Sequence, residues 1–355
     1  MKKALTFDDV ALVPQYNNIK SRVDSTIDLS TWLTKKTKIG MPLLAANMDS
    51  VMSEELADVL IKNGGKALFH RFTNQDAIYN WAEKYNQNCF ISIGVNVKDE
   101  DLKVFCDKGV KGVVIDIAHA HSETIRDLLL HIKKNYKDLE IIAGNVCTAG
   151  GYIDLVNWGA DAVKVGIGPG SACTTRIKTG FGVPQLTAIM DCAAQAKKYS
   201  VPIIADGGIR GSADIAKALA AGATTAMMGK IFAFTYESAA KKYYKDDNGV
   251  YQEYTDNKYD LTKPLYAKYR GQASFDFQLD FKGGLKEGTV PEGVHFYNQI
   301  KKSTQEVIDE LLGGLRSSLT YGGARTIGEL QRKAEFVEVT SSYYTESNPR
   351  EFEYS

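Results

Sequence analysis

A cysteine inside a glycine-rich loop is the first residue whose type and setting could do chemistry. Cys173 lies in GPGSACTTR, flanked by Ser171, Thr174, Thr175 and Arg176. A thiolate is a strong nucleophile, and neighbouring cations or hydroxyls favour it. The other four cysteines (Cys89, Cys106, Cys147 and Cys192) sit in strand or helix patterns and read as small buried apolar residues. Asp116 ends the apolar run GVVIDIA, and His119 and His121 follow it as an H-x-H pair. That pair could ligate a metal, with His70 and Asp206 as further candidates, which would make a metal-dependent hydrolase. Two short glycine segments, Asp206-Gly207-Gly208 and Met228-Gly229, could expose backbone N–H groups to an anion. Gly166, Gly168 and Gly170 do not form a dinucleotide fingerprint, because Pro169 interrupts the turn and no helix start follows.

These residues need elements to hold them. Short runs rich in β-branched residues begin at 42, 66, 89, 112, 140, 162, 201 and 225, with amphipathic segments such as 53–63, 122–134 and 212–221 between them. Such runs suit strands buried on both faces, and Ser53, Ser122 and Ser212 suit helix N-caps. Eight strands alternating with helices predict a (β/α)₈ TIM barrel, read as a single domain over 1–355. Two stretches break the rhythm: a loop at about 168–185, holding Cys173, and a polar region at about 235–300, read as a long irregular flap. On a barrel, the loops after the strands form the catalytic face, and those after strands seven and eight commonly bind phosphate. Asp206-Gly207-Gly208 and Gly229 fall there. A polar arm covers 341–355.

The 355 residues carry 43 Lys+Arg against 43 Asp+Glu, so formal charge is +0. Nucleic-acid binders usually carry a basic excess, so none is expected as a partner. No long apolar run predicts a membrane span. Five cysteines without a C-x-x-C pair predict reduced thiols in the cytoplasm.

Six segments together are similar to one family. GIGPGSACTTRIKTGFGVPQ at 166–185, IIADGGIR at 203–210, IAGNV at 142–146, LTFDDV at 5–10, NMDS at 47–50 and LGGLRS at 312–317 resemble the IMP dehydrogenase/GMP reductase family from Leu5 to about Pro349. The resemblance implies a barrel that assembles as a homotetramer. It implies Cys173 as nucleophile on C2 of a purine nucleotide, GMP or IMP, with Thr175 and Glu292 (in VPEG) moving protons. Ser171, Gly207, Gly208, Gly229 and Tyr269 would hold the phosphate, and Asp206 the ribose. Asp116 and His119 would face the nicotinamide cofactor. The carbonyls of Gly168, Gly170 and Cys173 would ligate a monovalent cation such as K⁺, with help from a tail like Glu346–Pro349.

The family contains two reactions with one covalent intermediate. The dehydrogenase oxidises IMP with NAD and then hydrolyses the adduct to XMP. The reductase expels ammonia from GMP and reduces the adduct with NADPH to IMP. Hydrolysis needs a water-activating base, which in dehydrogenases is the Arg of a flap Arg-Tyr pair. Here Phe275-Asp276-Phe277-Gln278 stands where Arg-Tyr-Phe-Gln would be expected, and no Arg lies between Arg270 and Arg316. Lys178-Thr179-Gly180 and the absence of inserted CBS domains are also more similar to reductases. The expectation is therefore a GMP reductase using NADPH, with an IMP dehydrogenase as the alternative. Gln272 departs from the family, which usually has Met in YRGM.

Overall fold

The computed structural model describes residues 3–255 and 262–348. Eight parallel strands form its centre: β1 (Leu43–Ala45), β2 (Ala67–Phe69), β3 (Cys89–Ile93), β4 (Gly112–Asp116), β5 (Glu140–Val146), β6 (Ala162–Val165), β7 (Ile203–Asp206) and β8 (Thr225–Met228). The hydrogen-bonded order is β1-β8-β7-β6-β5-β4-β3-β2, and β1 meets β2 at the seam. The helices between strands are α1 (Glu54–Lys62), α2 (Gln75–Tyr85), α3 (Asp99–Asp107), α4 (Glu123–Asn135), α5 (Ala149–Asn157), α6 (Thr175–Thr179), α7 (Gln185–Tyr199) and α8 (Ser212–Ala220). This is the TIM barrel that the strand spacing predicts.

Side-chain alternation explains why the strands read as continuous apolar runs. Along β7, Ile203 and Ala205 join the layer beneath the helices while Ile204 points into the barrel with Leu44, Leu68, Phe90, Val114 and Met227. Both faces are buried, so apolar side chains dominate both. A hairpin (Thr31–Trp32 with Lys38–Ile39) stoppers the far end of the barrel. Its Thr34 and Thr37 hydroxyls donate to the buried Glu140 carboxylate, which also pairs with Lys111 at 2.8 Å.

The structure corrects two local readings. Ser53 caps α1 by accepting from the Leu56 N–H, but Ser122 caps α4 without a side-chain bond, and Gly211, not Ser212, is the cap of α8. The polar stretch at 235–300 is not an irregular flap. A short helix α9 (Lys230–Ala233) precedes it, and it contains an antiparallel sheet of β9 (Lys242–Lys245), β10 (Tyr251–Glu253), β11 (Tyr266–Arg270) and β12 (His295–Gln299). Helix α10 (Phe275–Lys282) lies between the last two strands. One sheet face packs on the barrel through Tyr269, with Ala267 buried among Ala240, Leu265 and Ile300, and the other carries tyrosines that stack on each other, Tyr251 on Tyr297 at 4.1 Å. Stacked tyrosines and lysines make a strand pattern that apolar periodicity does not register. Of the polar arm, Ser342–Ser347 is helical, and Pro349–Ser355 lie outside the described residues.

Candidate active site

At the carboxyl ends of the barrel strands a cavity of about 380 Å³ opens. Every residue that the family resemblance assigns to the site, except His119, lines it: Asp116, Gly168, Gly170, Ser171, Cys173, Thr175, Asp206, Gly207, Gly208, Gly229, Tyr269 and Glu292. His119 is exposed and stands edge-on to the ring of His121.

Cys173 is held by backbone pairing on two sides. Its N–H donates to the Gly170 carbonyl (3.0 Å), and Thr174 N–H donates to Glu292 O (2.9 Å). The Glu292–Val294 segment thereby runs antiparallel to 172–174, bridging Cys173 to Gly293. This register brings three side chains into line. The Cys173 thiol donates to Thr175 Oγ1 (3.3 Å), and that hydroxyl donates to Glu292 Oε2 (2.7 Å). A proton can thus pass between the thiol side and a carboxylate through one hydroxyl. Arg176 does not act on the thiol. Its guanidinium donates to the carbonyls of Ile167 (3.2 Å) and Val183 (2.5 Å), bracing the loop. Gly168 (φ +83°) makes room, since a Cβ there would lie 2.5 Å from Arg176 Cγ.

The anion end is built from close backbone approach. Gly207 and Gly208 take φ of +91° and +79°, and a Cβ on Gly207 would stand 3.1 Å from Gly170 N. A Cβ on Gly229 would lie 2.5 Å from the Tyr269 hydroxyl. Tyr269 itself is buried, and that burial pushes its phenol pKa up.

Between these ends lies a charge network absent from the sequence reading. Lys164 Nζ bridges Asp116 Oδ1 (2.9 Å) and Asp206 Oδ2 (3.1 Å). Burial works against its charge, but the two carboxylates outweigh it and hold the ammonium above its usual range. Asn145 donates to Asp206 Oδ2 (2.9 Å) and to Gly166 O (2.7 Å). Arg71 was likewise missed. It lines the cavity over the Phe72 ring (4.5 Å), and burial lowers its pKa while Asp116 opposes that shift. Its Nε is buried with no partner among the described residues. Lysine inside AVKVGIG was the available signal, because a cation in a doubly buried strand must be paired.

The stretch at 275–278 forms the first turn of helix α10. Ser274 caps α10, Phe277 is buried edge-to-face on Phe72 (4.6 Å), and Asp276 pairs with Lys268 (2.5 Å) and His295 (2.8 Å). The metal reading finds no support in the geometry. His121 pairs with Asp154 (2.7 Å), while burial pushes His70 down to about 4 and its Nδ1 accepts from the Phe72 N–H. No group of three His, Cys, Asp or Glu suited to a metal comes together among the described residues. Nor is any helix among them long and apolar enough to cross a membrane.

Comparison with known proteins agrees with this layout. Residues 4–350 match the family model described as "IMP dehydrogenase / GMP reductase domain". An inosine-5'-monophosphate dehydrogenase of Aquifex aeolicus is 32% identical, covering 98% of this chain and 95% of its own. One of Cryptosporidium parvum is 34% identical, covering 99% and 96%. One of Chlorobaculum tepidum reaches 46% over 68% of this chain and 48% of its own.

Proposed function

Because the chain belongs to the IMP dehydrogenase/GMP reductase family, its chemistry is that of an oxidoreductase acting on purine nucleotides, and we propose that it is a GMP reductase. One observation carries the choice of direction: the Cys173–Thr175–Glu292 relay is complete while residues 271–315 contain no arginine. The expected Arg-Tyr position is instead helix α10, whose Phe277 forms an apolar wall of the cavity. An apolar wall suits a step from which water must be kept away.

In this reading Cys173 attacks C2 of GMP, and the C2 amino group leaves as ammonia after taking a proton relayed through Thr175 and Glu292. A bound reduced nicotinamide cofactor, NADPH, would supply the hydride that replaces it. The C–S bond then breaks, and IMP is released. Asp116 would hold the cofactor beside the orphaned Arg71 Nε, a donor suited to a carboxamide oxygen. Ser171, the Gly207, Gly208 and Gly229 backbone and Tyr269 would hold the nucleotide phosphate, and Asp206 the ribose. The Gly168, Gly170 and Cys173 carbonyls would ligate K⁺; Gly170 O already accepts the Cys173 N–H and has a second lone pair. The exposed Ile177 and Phe181 beside the catalytic loop suit a face covered in a homotetramer. We assign the enzyme to the cytoplasm.

IMP dehydrogenase is the second reading, favoured by the names of the relatives. Thr175 and Glu292 would then serve as the water base. Incubation with GMP and NADPH should consume NADPH and yield IMP and ammonia. No turnover there, with robust NADH formation from IMP and NAD, would refute the proposal.

A further inference from the structure

A second cavity lies at the amino ends of β7 and β8, opposite the catalytic face. It is a groove of about 590 Å³, against about 380 Å³ for the Cys173 cavity, and the two share no residue. The last turns of α7 and α8 give it an apolar floor of Ala193, Ala196, Ala220 and Ala221. Small residues are required there because the two helices approach closely: a Cβ on Gly222 would lie 2.4 Å from Ala193 Cβ. Trp32, in the hairpin that stoppers the barrel, supplies a wall and is 48% exposed. Its backbone is fixed on both sides. The Thr31 hydroxyl donates to Thr224 O (2.9 Å), Leu33 is fully buried, and Lys35 N–H donates to Asp161 O (3.0 Å). A large ring held open to water beside an apolar floor, in a space of this size, has the make-up of a ligand site.

The charge of the groove is one-sided. Lys35 and Lys197 line it, and no acidic residue among the described ones does. The Lys35 ammonium lies 3.3 Å from Asp161 Oδ1 and stays 42% exposed. That carboxylate is also held by Lys133 and by the Ile141 N–H, so Lys35 keeps donors for a second partner. Lys197 is exposed in the last turn of α7. We propose that the groove binds an organic anion with a flat aromatic body. The rings lie against Trp32 and the alanine floor, and the anionic group meets Lys35 and Lys197. A neutral ring gains the apolar contact alone, and a cation is repelled. The site is independent of the reaction at Cys173.

Two probes of nearly one shape test this: 8-anilinonaphthalene-1-sulfonate and its uncharged counterpart N-phenyl-1-naphthylamine, each titrated into the full chain and followed by its emission. The sulfonate should saturate one site. Lys197→Glu, at an exposed position, reverses one charge and should weaken the sulfonate about tenfold while shifting the neutral probe less than about twofold. Trp32→Ala removes the ring and should weaken both probes at least about fivefold. A melt beside each titration shows that the variants are folded, and Lys197→Glu decides alone if Trp32→Ala is not. Sulfonate binding that is unsaturable, or unchanged by Lys197→Glu, would overturn the proposal. So would a Lys197→Glu variant that weakens both probes alike, since charge would then not be what the groove selects. A folded Trp32→Ala variant that binds both probes as before would overturn it too, because the probes would then sit elsewhere, the Cys173 cavity included.

Discussion

Replacing Lys164 with Met removes the cation between two carboxylates and leaves both facing one cavity. At an effective dielectric of about 20, each contact near 3 Å is worth about 5 kcal/mol before desolvation. Taking the ammonium out of water costs several kcal/mol, so the intact network contributes much less than its gross attraction. Breaking it is different, because the variant keeps the buried carboxylates and loses their partner, a change that typically costs about 3–5 kcal/mol. The lower end is expected here, about 3 kcal/mol, since Asp116 and Asp206 open onto the cavity at 13% and 21% exposure while Lys164 is 3% exposed. The pH dependence has a definite sign. The folded ammonium titrates above its usual value, so its contribution is complete throughout acidic and neutral pH and is lost only as pH rises through that folded value. Between about pH 4 and 8 the ammonium's contribution is therefore constant. Urea unfolding of both proteins near pH 7 measures the deficit, and adding Asp116→Asn to the variant should recover part of the loss. A deficit under about 0.5 kcal/mol would refute the account of this network as a buried charge pair.

Glu292→Gln keeps the bond to Thr175 but loses the proton acceptor, so kcat should fall about a hundredfold with unfolding unchanged, read by steady-state rates beside a melt. Gly229→Ala meets no backbone strain but places a Cβ 2.5 Å from the hydroxyl of buried Tyr269, so it should destabilise by about 1–3 kcal/mol and raise KM for the nucleotide. Lys242 is 5% exposed, and its ammonium bonds Ser238 O (2.9 Å) and Ser238 Oγ (2.7 Å), yet burial lowers its pKa to about 8. The unfolded chain then holds the extra proton between about pH 8 and 10.5, so this residue's cost is full below that window and is relieved as pH rises through it. The stability gap between Lys242→Met and the unaltered protein should narrow or change sign by about 2 kcal/mol from pH 7.5 to 9.5, and a gap constant over that range would sink the argument.

What the sequence revealed and what it hid follow one physical rule. A parallel strand buried on both faces is predominantly apolar, so all eight barrel strands were visible as runs, and the barrel then assigned a catalytic face without any contact being known. Asp206-Gly207-Gly208 and Gly229 were legible because they end those runs, and Cys173 because it lies in the glycine-rich loop that follows one. His119 shares the Asp116 loop, yet two residues of loop backbone carried it out to solvent, a direction that spacing along a chain does not encode. Lys164 and Arg71 were hidden for the opposite reason. Each lies inside or beside a run whose apolar neighbours suffice to make it a strand, and the partner that makes its charge tolerable comes from another strand. Lys164 meets Asp116 across 48 positions and Asp206 across 42. The antiparallel sheet over 242–299 was illegible because its outer face is covered by tyrosine stacking rather than by aliphatic side chains, so no apolar alternation marked it. The relay shows how the two kinds of information join. Cys173 and Thr175 are neighbours by sequence, but Glu292 enters only through the backbone register that pairs 172–174 with 292–294, 117 residues from Thr175. The chemistry of the site therefore depends on a pairing that a one-residue slip would abolish, since such a slip turns the Glu292 side chain to the opposite face.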